Sequence, residues 1–572
     1  MIKKQITRFL SVFLLSFPIT VTAQISNSIT VWRGNSDSLT YFTRSVDSLT
    51  FHKNDTTLAI WQRGVGSYKV KQNQIDSITI LNPQVVSTNL KDNTTLAGFL
   101  SNVTVNSNSY KTTSERNPLI SHKFGADPFA MEYNGRVYVY MTNDEITYDG
   151  EGAIATNTYG NINKISCISS DDMTNWTDHG AMYIAGSEGV ATWAGNSWAP
   201  TACHKTIDGK EKFFLYFANS SNGIGVVTSS TPYGPWTDPI GRALISRCTP
   251  NCSNIPWVFD PAVFIDDDGT GYLYFGGGLV DNPTEEQTRD PGSARVVKLN
   301  PDMISLASDP VTIRPPYLFE DAGINKIGDK YVYSYCTNWN CPNPGNAKIA
   351  YMTSDNPMGP FTYKGVFFNN PGEFFANSYG NNHHALFKFK EQYYLFYHTL
   401  DLQNEMGIGS KGYRSTHADY ATVNADGTIQ PVTGTSKGTN KKTNNLDPYK
   451  RVQAETMTWQ YGVTTELASK TSTAVYLCTK NAGSWVGVAN VDFQNGPEYF
   501  TAKISGNYSG GVIKICVGAL SGPASAVLGY VELPKNKFWK EVTVPLLYMP
   551  VGVKTIYFVF SGEAKMDYWQ FY

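Results

Sequence analysis

The sequence predicts an all-β protein centred on a five-bladed β-propeller. Two repeats and the composition lead to this fold class. The longer repeat combines an opening residue, a hydrophobic strand, a turn and a Tyr/Phe-rich strand, and it occurs five times. The shorter repeat has a Ser/Thr start, a Pro/Gly turn and a closing aromatic residue, in phase with the longer one. Aromatic residues make up 13% of the chain and charged residues 16%, which favours strands over helices or disorder.

The five copies of the longer repeat follow one another at spacings of 71, 62, 60 and 63 residues. A unit of this length holds one β-hairpin and has room for two more strands, as in one propeller blade. Because the innermost strands of a propeller surround its axis, we expect the residues that open them to share a central pocket. These opening residues are Asp127 (in ADPFAMEYNGRVYVYM), Trp198 (WAPTACHKTIDGKEKFFLYF), Asp260 (DPAVFIDDDGTGYLYF), Glu320 (EDAGINKIGDKYVYSY) and His383 (HHALFKFKEQYYLFYH).

The shorter repeat falls where a third or fourth strand of a blade belongs. Its copies follow the Tyr/Phe strands of the first, second and fourth units. One such turn is common in any all-β protein, but three in phase with an independent repeat support the blade assignment. The copies are SSDDMTNWTDHG (169–180), TSSTPYGPWTDPIG (228–241) and TSDNPMGPFTYKG (353–365).

Length and charge limit the class of protein. A chain of 572 residues suits three or four domains. Its net charge of −2 provides no basic face for nucleic acid.

Residues 1–23 are typical of a cleaved secretory signal peptide, because Lys3, Lys4 and Arg8 precede an apolar stretch and a small-residue cleavage site. No later segment is apolar enough to cross a membrane. We therefore expect a secreted or periplasmic protein without membrane insertion.

Polar stretches divide the rest of the chain. Residues 24–110 carry the strings DSLTYF, DSLTFH and DSITIL, which predict a small N-terminal β module and linker of unknown role. The propeller is predicted over 117–436. A second polar linker, 434–448, leads to 449–572, where alternating strands predict a β-sandwich.

The eight cysteines of an exported protein are candidates for disulfides. Cys248 and Cys252 are close enough in sequence to bridge locally, and so are Cys336 and Cys341. Buried thiols are the other interpretation. No pair has the spacing of a zinc–thiolate site.

Three of the five opening residues are carboxylates, which is the composition of a glycosidase site. Inverting hydrolysis of a glycoside needs a carboxylate base that activates water and a carboxylic acid that protonates the leaving sugar, separated by roughly 6.5–9.5 Å. A third carboxylate beside the acid raises its pKa and keeps it protonated. Asp127, Asp260 and Glu320 supply these three groups.

Several strings between about 117 and 436 resemble glycoside hydrolase family 43 and follow its order. They are HKFGADPFAMEYNGRVYVY, SWAP, FDPAVFIDDDGTGYLYFGGG, FEDAGINKIGDKYVYSY, NNHHALF and GYRSTHADY. The resemblance implies a five-bladed propeller that inverts configuration at the anomeric carbon. It also implies that Asp127 is the general base, that Glu320 is the general acid, and that Asp260 tunes the acid and orients the substrate.

The three assignments have competing interpretations. Asp127 and Asp260 each precede a proline, and an Asp-Pro pair also occurs in simple turns. Asp321 competes with Glu320 for the role of the acid. Because consecutive strand residues point to opposite faces, we expect one of the two to face the axis, and the register of the opening residues favours Glu320.

Three more residues complete the implied site. His383 matches a histidine that the family often places near the axis, where it contacts substrate or binds calcium directly or through water; a polar residue at a blade start is the alternative. Arg414 in GYRST resembles a substrate-contacting arginine of the family, with a surface salt bridge as the alternative. Trp198 either stacks on a sugar or packs between blades.

Residues 449–572 resemble a family 6 carbohydrate-binding module through QAETM, GSWVGVANVDF and MDYWQFY. By this resemblance Glu455 would bind a structural calcium, and Tyr476 or Trp539 would stack on a sugar. The family often has Asn two residues before its terminal Asp. This chain has Lys565 before Asp567, a departure at the usual ligand cleft.

The resemblance predicts an exported inverting hydrolase that removes α-L-arabinofuranosyl residues from arabinoxylan or a related plant polysaccharide, with no cofactor for the chemistry. β-Xylosidase or bifunctional activity is the first alternative, because both sugars present similar hydroxyl positions to one pocket. Endo-arabinanase activity is the second alternative, and a non-catalytic propeller that only binds polysaccharide is the third. The expected partners are arabinoxylan, arabinan or xylan oligosaccharides.

Overall fold

A computed structural model describes residues 109–572 except 340, 342–344, 440–443, 495 and 522–524, together with residue 105 and the strands between 28 and 81. The predicted signal peptide lies outside the described residues. Strands account for 48% of the structure and helices for 3%, so the predicted all-β class is confirmed. The short helices are Glu285–Arg289 and Asp401–Glu405, and 3-10 turns lie at Tyr159–Asn161 and Pro371–Glu373.

Six strands form the N-terminal segment. They are β1 (Ser28–Arg33), β2 (Asp37–Tyr41), β3 (Val46–His52), β4 (Thr57–Gln62), β5 (Gly66–Lys71) and β6 (Ile75–Leu81). Strand β1 pairs with β2 and β6 in one antiparallel sheet, and β4 pairs with β3 and β5 in another. The three DS-containing strings fall on β2, β3 and β6, where the sequence predicted strands.

Five antiparallel sheets follow one another between residues 126 and 421, and in each the strands pair in chain order. The first sheet has β7 (Ala126–Tyr133), β8 (Arg136–Thr142), β9 (Lys164–Ser170) and β10 (Trp176–Tyr183). The second has β11 (Trp198–Ile207), β12 (Lys210–Ala218), β13 (Gly223–Ser229) and β14 (Ile245–Ser246). The third has β15 (Ala262–Ile265), β16 (Gly271–Phe275), β17 (Ala294–Lys298) and β18 (Val311–Ile313). The fourth has β19 (Leu318–Ile327), β20 (Lys330–Thr337), β21 (Ile349–Ser354) and β22 (Thr362–Phe368), and the fifth has β23 (His384–Phe389), β24 (Gln392–Thr399) and β25 (Ser415–Ala421).

The first strands of the five sheets contact one another in a ring. Strand β7 contacts β11, β11 contacts β15, β15 contacts β19, β19 contacts β23, and β23 contacts β7. Each opening residue lies at the start of one of these strands or within two residues of it. The ring therefore brings residues together that are up to 256 positions apart in the sequence.

Tyrosines of the second strands connect neighbouring sheets. The Tyr140 hydroxyl of the first sheet donates to the carbonyl of Pro232, in the shorter repeat of the second unit. The Tyr274 hydroxyl of the third sheet donates in the same way to Pro357, in the shorter repeat of the fourth unit. Both tyrosine rings are buried, so the hydroxyl groups must find partners inside the protein. These hydrogen bonds join the longer repeat of one unit to the shorter repeat of the next, which explains why the two repeats recur at matching positions.

The C-terminal residues form two packed sheets, as the sequence predicted. The strands of this region are β26 (Val452–Gln453), β27 (Thr456–Met457), β28 (Trp459–Tyr461), β29 (Val463–Leu467), β30 (Val475–Thr479), β31 (Trp485–Asp492), β32 (Tyr499–Ser505), β33 (Gly511–Gly518), β34 (Ser525–Leu533), β35 (Lys540–Pro545), β36 (Val553–Phe560) and β37 (Ala564–Phe571). One sheet has the order β29-β30-β37-β32-β35, with β26 beside β37, and the other has the order β28-β31-β36-β33-β34. Their inward side chains, among them Phe500, Phe558 and Trp569, form one buried core.

The sandwich packs directly against the first sheet. Strand β27 pairs with β10 and so becomes the fifth strand of that sheet. Beside this junction the buried carboxylate of Asp178 contacts His122 and Lys123 and accepts a hydrogen bond from Thr465 of the sandwich. The polar linker therefore joins two units that share a sheet and a buried ionic cluster.

None of the eight cysteines, all of which are described, forms a disulfide. Seven are buried and Cys248 is exposed. The structure thus agrees with the interpretation that the cysteines are free thiols, and it does not agree with local disulfide bonds. Among the described residues, no helix is long and apolar enough to span a membrane.

Candidate active site

The opening residues of all five sheets line one cavity of about 440 Å³. The catalytic-domain residues singled out in the sequence therefore lie together. Four further residues that were not singled out complete the wall. The lining consists of Asp127, Trp198, Asp260, Glu320, His383 and Arg414 together with Tyr159, Ile162, Phe259 and Asn381.

Asp127 is a buried carboxylate with strong hydrogen-bond donors on both oxygens. Arg414 Nη1 donates to Oδ1 at 3.0 Å, and Thr142 Oγ1 donates to Oδ2 at 2.7 Å. Burial acts to raise the pKa of Asp127, but the Arg414 guanidinium together with His398 and His383 outweighs burial and holds that pKa well below its usual range. Asp127 is therefore ionised, as a general base must be.

Arg414 is fixed by a second carboxylate, Asp144. Asp144 Oδ2 accepts hydrogen bonds from the backbone N and from Nε of Arg414, at 3.0 and 2.8 Å, and Oδ1 accepts from Nη2 at 2.8 Å. The Arg414 guanidinium also lies 4.9 Å from the ring centroid of Tyr159. Because Arg414 is 4% exposed, the interpretation as a surface salt bridge is wrong.

His398 holds the backbone of Asp127. Its Nδ1 accepts a hydrogen bond from the Asp127 backbone N at 3.0 Å, and its Nε2 donates to the Asn381 carbonyl at 2.9 Å. The same Nδ1 also lies 3.2 Å from Asp127 Oδ1. His398 therefore positions both the backbone and the carboxylate of the base.

Glu320 has the opposite environment from Asp127. Its Oε1 is buried and has no hydrogen-bond partner among the residues described. Burial and then the negative charges of Asp260, Asp127 and Asp321 raise the pKa of Glu320 well above its usual range. The side chain is therefore a protonated acid that faces the cavity.

Asp260 is electrostatically coupled to Glu320. Burial and the charge of Asp127 raise the pKa of Asp260 as well. However, Asp260 Oδ2 accepts a hydrogen bond from the Asp321 backbone N at 3.0 Å, which favours its ionised form. Since Glu320 Oε1 has no such donor, the proton that the two carboxyls share resides on Glu320.

The structure corrects the register argument for Glu320. Asp127, Ala199, Asp260 and Asp321 have left-handed backbones, with φ of 49°, 40°, 48° and 69°, and are therefore the equivalent positions of their repeats. Glu320 and Trp198 each lie one residue earlier, so their match to the opening register was wrong, although both line the cavity. The expectation that one residue of the Glu320–Asp321 pair faces the cavity agrees with the structure, because Glu320 lines it and Asp321 does not.

Asp321 lies behind the cavity wall and is fully buried. Its Oδ2 contacts Nδ1 of His384 at 2.5 Å, and Nε2 of His384 lies 2.7 Å from the Ser334 hydroxyl. Its Oδ1 lies 3.1 Å from Nε2 of His383. Asp321 thus anchors His383 and His384 at the start of the fifth sheet, whereas Glu320 faces the cavity.

His383 lies between the carboxylates. Its Nδ1 is 3.7 Å from Asp127 Oδ1 and 3.9 Å from Asp260 Oδ2. Burial lowers the pKa of His383, so the ring is neutral at ordinary pH. Within the described part of the chain, no group of three or more His, Cys, Asp and Glu side chains is arranged to hold a metal ion. The geometry of His383 therefore fits a hydrogen-bonding residue and does not support the predicted axial metal.

Comparison with known proteins agrees with this carboxylate arrangement. Residues 115–429 match the sequence model of glycosyl hydrolases family 43, which covers more than half of the chain. The chain belongs to glycosyl hydrolases family 43. Residues 453–572 match the carbohydrate binding module of family 6.

Three relatives of this family 43 chain are similar over most of its length. An arabinoxylan arabinofuranohydrolase of Bacillus subtilis is 44% identical over 80% of this chain and 92% of the relative. One of Paenibacillus polymyxa is 43% identical over 81% of this chain and 75% of the relative. The crystal structure of a family 43 arabinoxylan arabinofuranohydrolase from Bacillus subtilis in complex with cellotetraose is 44% identical, covers 81% of this chain and 99% of that chain, and superposes with a TM-score of 0.77.

Trp198 lies at the rim of the family 43 cavity. Its Nε1 donates to the Tyr159 carbonyl at 3.0 Å, and its ring meets that of Tyr159 edge to face, with centroids 6.3 Å apart. Trp198 is partly exposed, so the ring packs on one side and faces the cavity with the other. The ring therefore packs against Tyr159 on one side, and stacking on a sugar stays a prediction.

In the module, the two aromatic residues singled out in the sequence contact each other. The ring centroids of Tyr476 and Trp539 are 4.5 Å apart with an interplanar angle of 48°, which is direct ring contact. Nearby, Lys565 Nζ pairs with Glu466 Oε2 at 2.6 Å. A sugar cannot lie between the two rings in this arrangement and can stack only on their outer faces.

Glu455 lies at the junction between the module and the first sheet. It is 3% exposed, and its Oε2 has no hydrogen-bond partner in the described structure. Burial, followed by the charges of Asp178 and Asp567, raises the pKa of Glu455 well above its usual range. A buried carboxylate oxygen without a partner is a suitable ligand for Ca²⁺, which prefers oxygen ligands.

Asp144, Tyr159, His398 and Asn381 were not found by sequence reasoning. They lie in connections or at strand ends outside the opening positions, so the repeat carries no signal for them. The string NTYGNINKIS, which contains Tyr159, supported the family resemblance. That string was the one available signal for this part of the wall.

Proposed function

We propose that this chain removes α-L-arabinofuranosyl side groups from arabinoxylan with inversion of configuration. The observation that carries the proposal is the opposite protonation of two buried carboxyls in one cavity, with Asp127 ionised and Glu320 protonated. The substrate class is supported by the names of two similar curated relatives, both arabinoxylan arabinofuranohydrolases.

The proposed reaction is a single displacement. Glu320 donates its proton to the glycosidic oxygen while the bond from that oxygen to the anomeric carbon breaks. Asp127 accepts a proton from a water molecule whose oxygen bonds to the opposite face of the same carbon. The products are free arabinose and the polysaccharide hydroxyl, and proton exchange with solvent restores both carboxyls. Asp260 maintains the high pKa of Glu320, and no cofactor takes part.

The five sheets between residues 126 and 421 are proposed to be five propeller blades. The ring of contacts among β7, β11, β15, β19 and β23 supports this assignment. The catalytic domain would span 117–436 and the sandwich module 449–572. Because β27 completes the first sheet, the module has a structural role in addition to any sugar binding.

A structural calcium beside Glu455 is part of the proposal, supported by the orphaned Oε2 and by the match to module family 6. A chelator should lower the melting temperature of the native protein, and Glu455→Gln should remove the sensitivity to chelator. Equal melting curves of native protein with and without chelator would contradict it.

Export is also proposed, from the basic, apolar and small-residue pattern of residues 1–23. N-terminal sequencing of the protein recovered outside the cytoplasm should begin at Gln24. Recovery of protein that still begins with Met1 would contradict cleavage.

The substrate assignment is tested by product analysis. Incubation with arabinoxylan should release arabinose, and a 4-nitrophenyl α-L-arabinofuranoside should be hydrolysed faster than the β-D-xyloside. Release of xylose alone would favour the β-xylosidase alternative, and arabinose oligomers from debranched arabinan would favour the endo-arabinanase alternative. Retention on polysaccharide without any product would favour a binding protein.

A further inference from the structure

A buried serine, histidine and aspartate contact one another in series behind the carboxylate cavity. Ser334 Oγ lies 2.7 Å from His384 Nε2, and His384 Nδ1 lies 2.5 Å from Asp321 Oδ2. The three residues are 1%, 3% and 0% exposed. The order of contacts is that of a hydrolase triad, but a serine buried to this degree cannot reach a substrate. The series therefore acts on its neighbours and not as a nucleophile.

The series ends at the peptide that joins Glu320 to Asp321. The N–H of that peptide, which belongs to Asp321, donates to Asp260 Oδ2 at 3.0 Å. The β-ladder does not hold this peptide, because the pairing of β19 with β20 is irregular on both sides of Glu320 and the register of these two fully described strands pairs neither Asp321 nor Ala322. Asp321 also has a left-handed φ of 69°, a conformation that persists only where the surroundings hold it.

His384 holds Asp321 in this conformation. Its backbone N donates to Asp321 Oδ1 at 3.3 Å while its ring contacts Oδ2, so one residue binds both oxygens of the carboxylate. Because a serine hydroxyl can donate or accept, Ser334 satisfies His384 Nε2 whether or not the ring is protonated. Gly323 provides the necessary space, since a Cβ there would lie 2.5 Å from Ser334 Oγ and 3.1 Å from His384 Nε2.

We propose that Ser334 and His384 are positioning residues, which act through Asp321 to keep the transferable proton on Glu320. The N–H of Asp321 favours the ionised form of Asp260. If the peptide moves, Asp260 loses this donor, and the proton that the two carboxyls share passes from Glu320 to Asp260. The inference rests on the proposed function, because it explains how the assigned acid keeps its proton.

Two substrates separate this role from a loss of folding. His384→Gln keeps an amide beside Ser334 but removes the ring contact to Asp321, and it should lower kcat on an arabinoxylan oligosaccharide about tenfold with little change in KM. Hydrolysis of 4-nitrophenyl α-L-arabinofuranoside, whose leaving group needs no proton, should fall much less. His384→Asn places an amide where Nδ1 lies and should restore most of the lost kcat. Equal losses on both substrates, or no recovery in His384→Asn, would overturn the proposal.

The serine is tested by removing its hydroxyl alone. Ser334→Ala should reduce kcat on the same oligosaccharide about threefold. Ser484→Ala of the module is the matched control, because Ser484 is also 1% exposed, donates to the Asn481 carbonyl at 2.9 Å and lies 2.7 Å from a Cβ placed on Gly462. This control should leave both rates unchanged. A loss in Ser334→Ala no greater than in Ser484→Ala would contradict the role of Ser334.

Infrared spectroscopy tests the inference without a substrate. In protein that carries ¹³C in its glutamate side-chain carboxyls, the C=O absorption of protonated Glu320 is shifted by the isotope and is missing in Glu320→Gln. In His384→Gln this shifted absorption should decrease, and an unshifted one from Asp260 should appear. An unchanged spectrum would overturn the proposal. Wild-type protein that hydrolyses neither the oligosaccharide nor the aryl arabinofuranoside would overturn the proposed function instead, and the infrared result would still decide where the proton resides.

Discussion

Arg414 Nη1 donates a hydrogen bond to Asp127 Oδ1 at 3.0 Å, while Asp144 binds the rest of the guanidinium. Asp127 belongs to the first sheet and Arg414 precedes the last strand of the fifth, so this contact joins the two ends of the ring. Arg414, with help from His398 and His383, offsets the burial of Asp127 and holds it ionised in a cavity where the neighbouring carboxyls are pushed towards protonation. The base therefore differs from the acid because Asp127 receives a direct hydrogen bond from the arginine and Glu320 Oε1 receives none in the described structure.

Replacing Arg414 should raise the pKa of Asp127. The base works only when deprotonated, so the acidic limb of kcat/KM against pH should move to higher pH in Arg414→Met, with activity reduced about 100-fold or more near neutral pH. Arg414→Lys keeps a positive charge and should move the limb less. A methionine variant with an unshifted acidic limb would show that Arg414 does not control Asp127.

Glu320→Gln should lower turnover of arabinoxylan about 100-fold or more, because an amide cannot donate the leaving-group proton. Its Oε1 has no hydrogen-bond partner among the described residues, so the isosteric change should leave the melting temperature nearly unchanged. Hydrolysis of 4-nitrophenyl α-L-arabinofuranoside, whose leaving group needs no proton, should be partly spared. Near-native turnover of arabinoxylan would reject Glu320 as the acid.

Asp260→Asn should lower the pKa of Glu320 by removing a nearby negative charge. The acid must be protonated, and its activity is lost as pH rises through its pKa, so the alkaline limb of the pH–rate profile should move to lower pH. Asp321→Asn removes a charge that raises the pKa of Glu320 less than Asp260 does, and because Asp321 also anchors His383 and His384 this change should in addition lower the melting temperature. If the alkaline limb of the pH–rate profile did not move in Asp260→Asn, the role of Asp260 would be restricted to contacts with the substrate.

Deleting 449–572 should reduce soluble yield and activity even on small aryl glycosides. The deletion removes β27 from the first sheet and leaves the Asp178 cluster without Thr465. A module that folded independently after the polar linker would instead spare small substrates. Full activity of the truncated chain on 4-nitrophenyl α-L-arabinofuranoside would restore that interpretation.

The repeat pattern predicted the strands and the common location of the opening residues, because both follow from local alternation and regular spacing. It could not predict that Asp321, and not Glu320, is the equivalent of Asp127 and Asp260, because the left-handed backbone at these positions breaks the alternation. Nor could it predict the partners of Asp127. Thr142 meets it from the adjacent strand β8, whereas His398 and Arg414 meet it through the closure of the ring, which joins positions up to 287 residues apart. Burial alone would have suggested a raised pKa for Asp127, and the combined effect of Arg414, His398 and His383 reverses it.

The configuration of the first sugar released tests the central claim most directly. Proton NMR of the wild-type protein acting on arabinoxylan should show β-L-arabinofuranose first, inverted from the α-linked substrate, followed by mutarotation. Asp127→Asn should give no sugar, and added azide should not restore a product with retained configuration. First-formed α-L-arabinofuranose would contradict the assignment of Asp127 as a base and Glu320 as an acid in a single displacement.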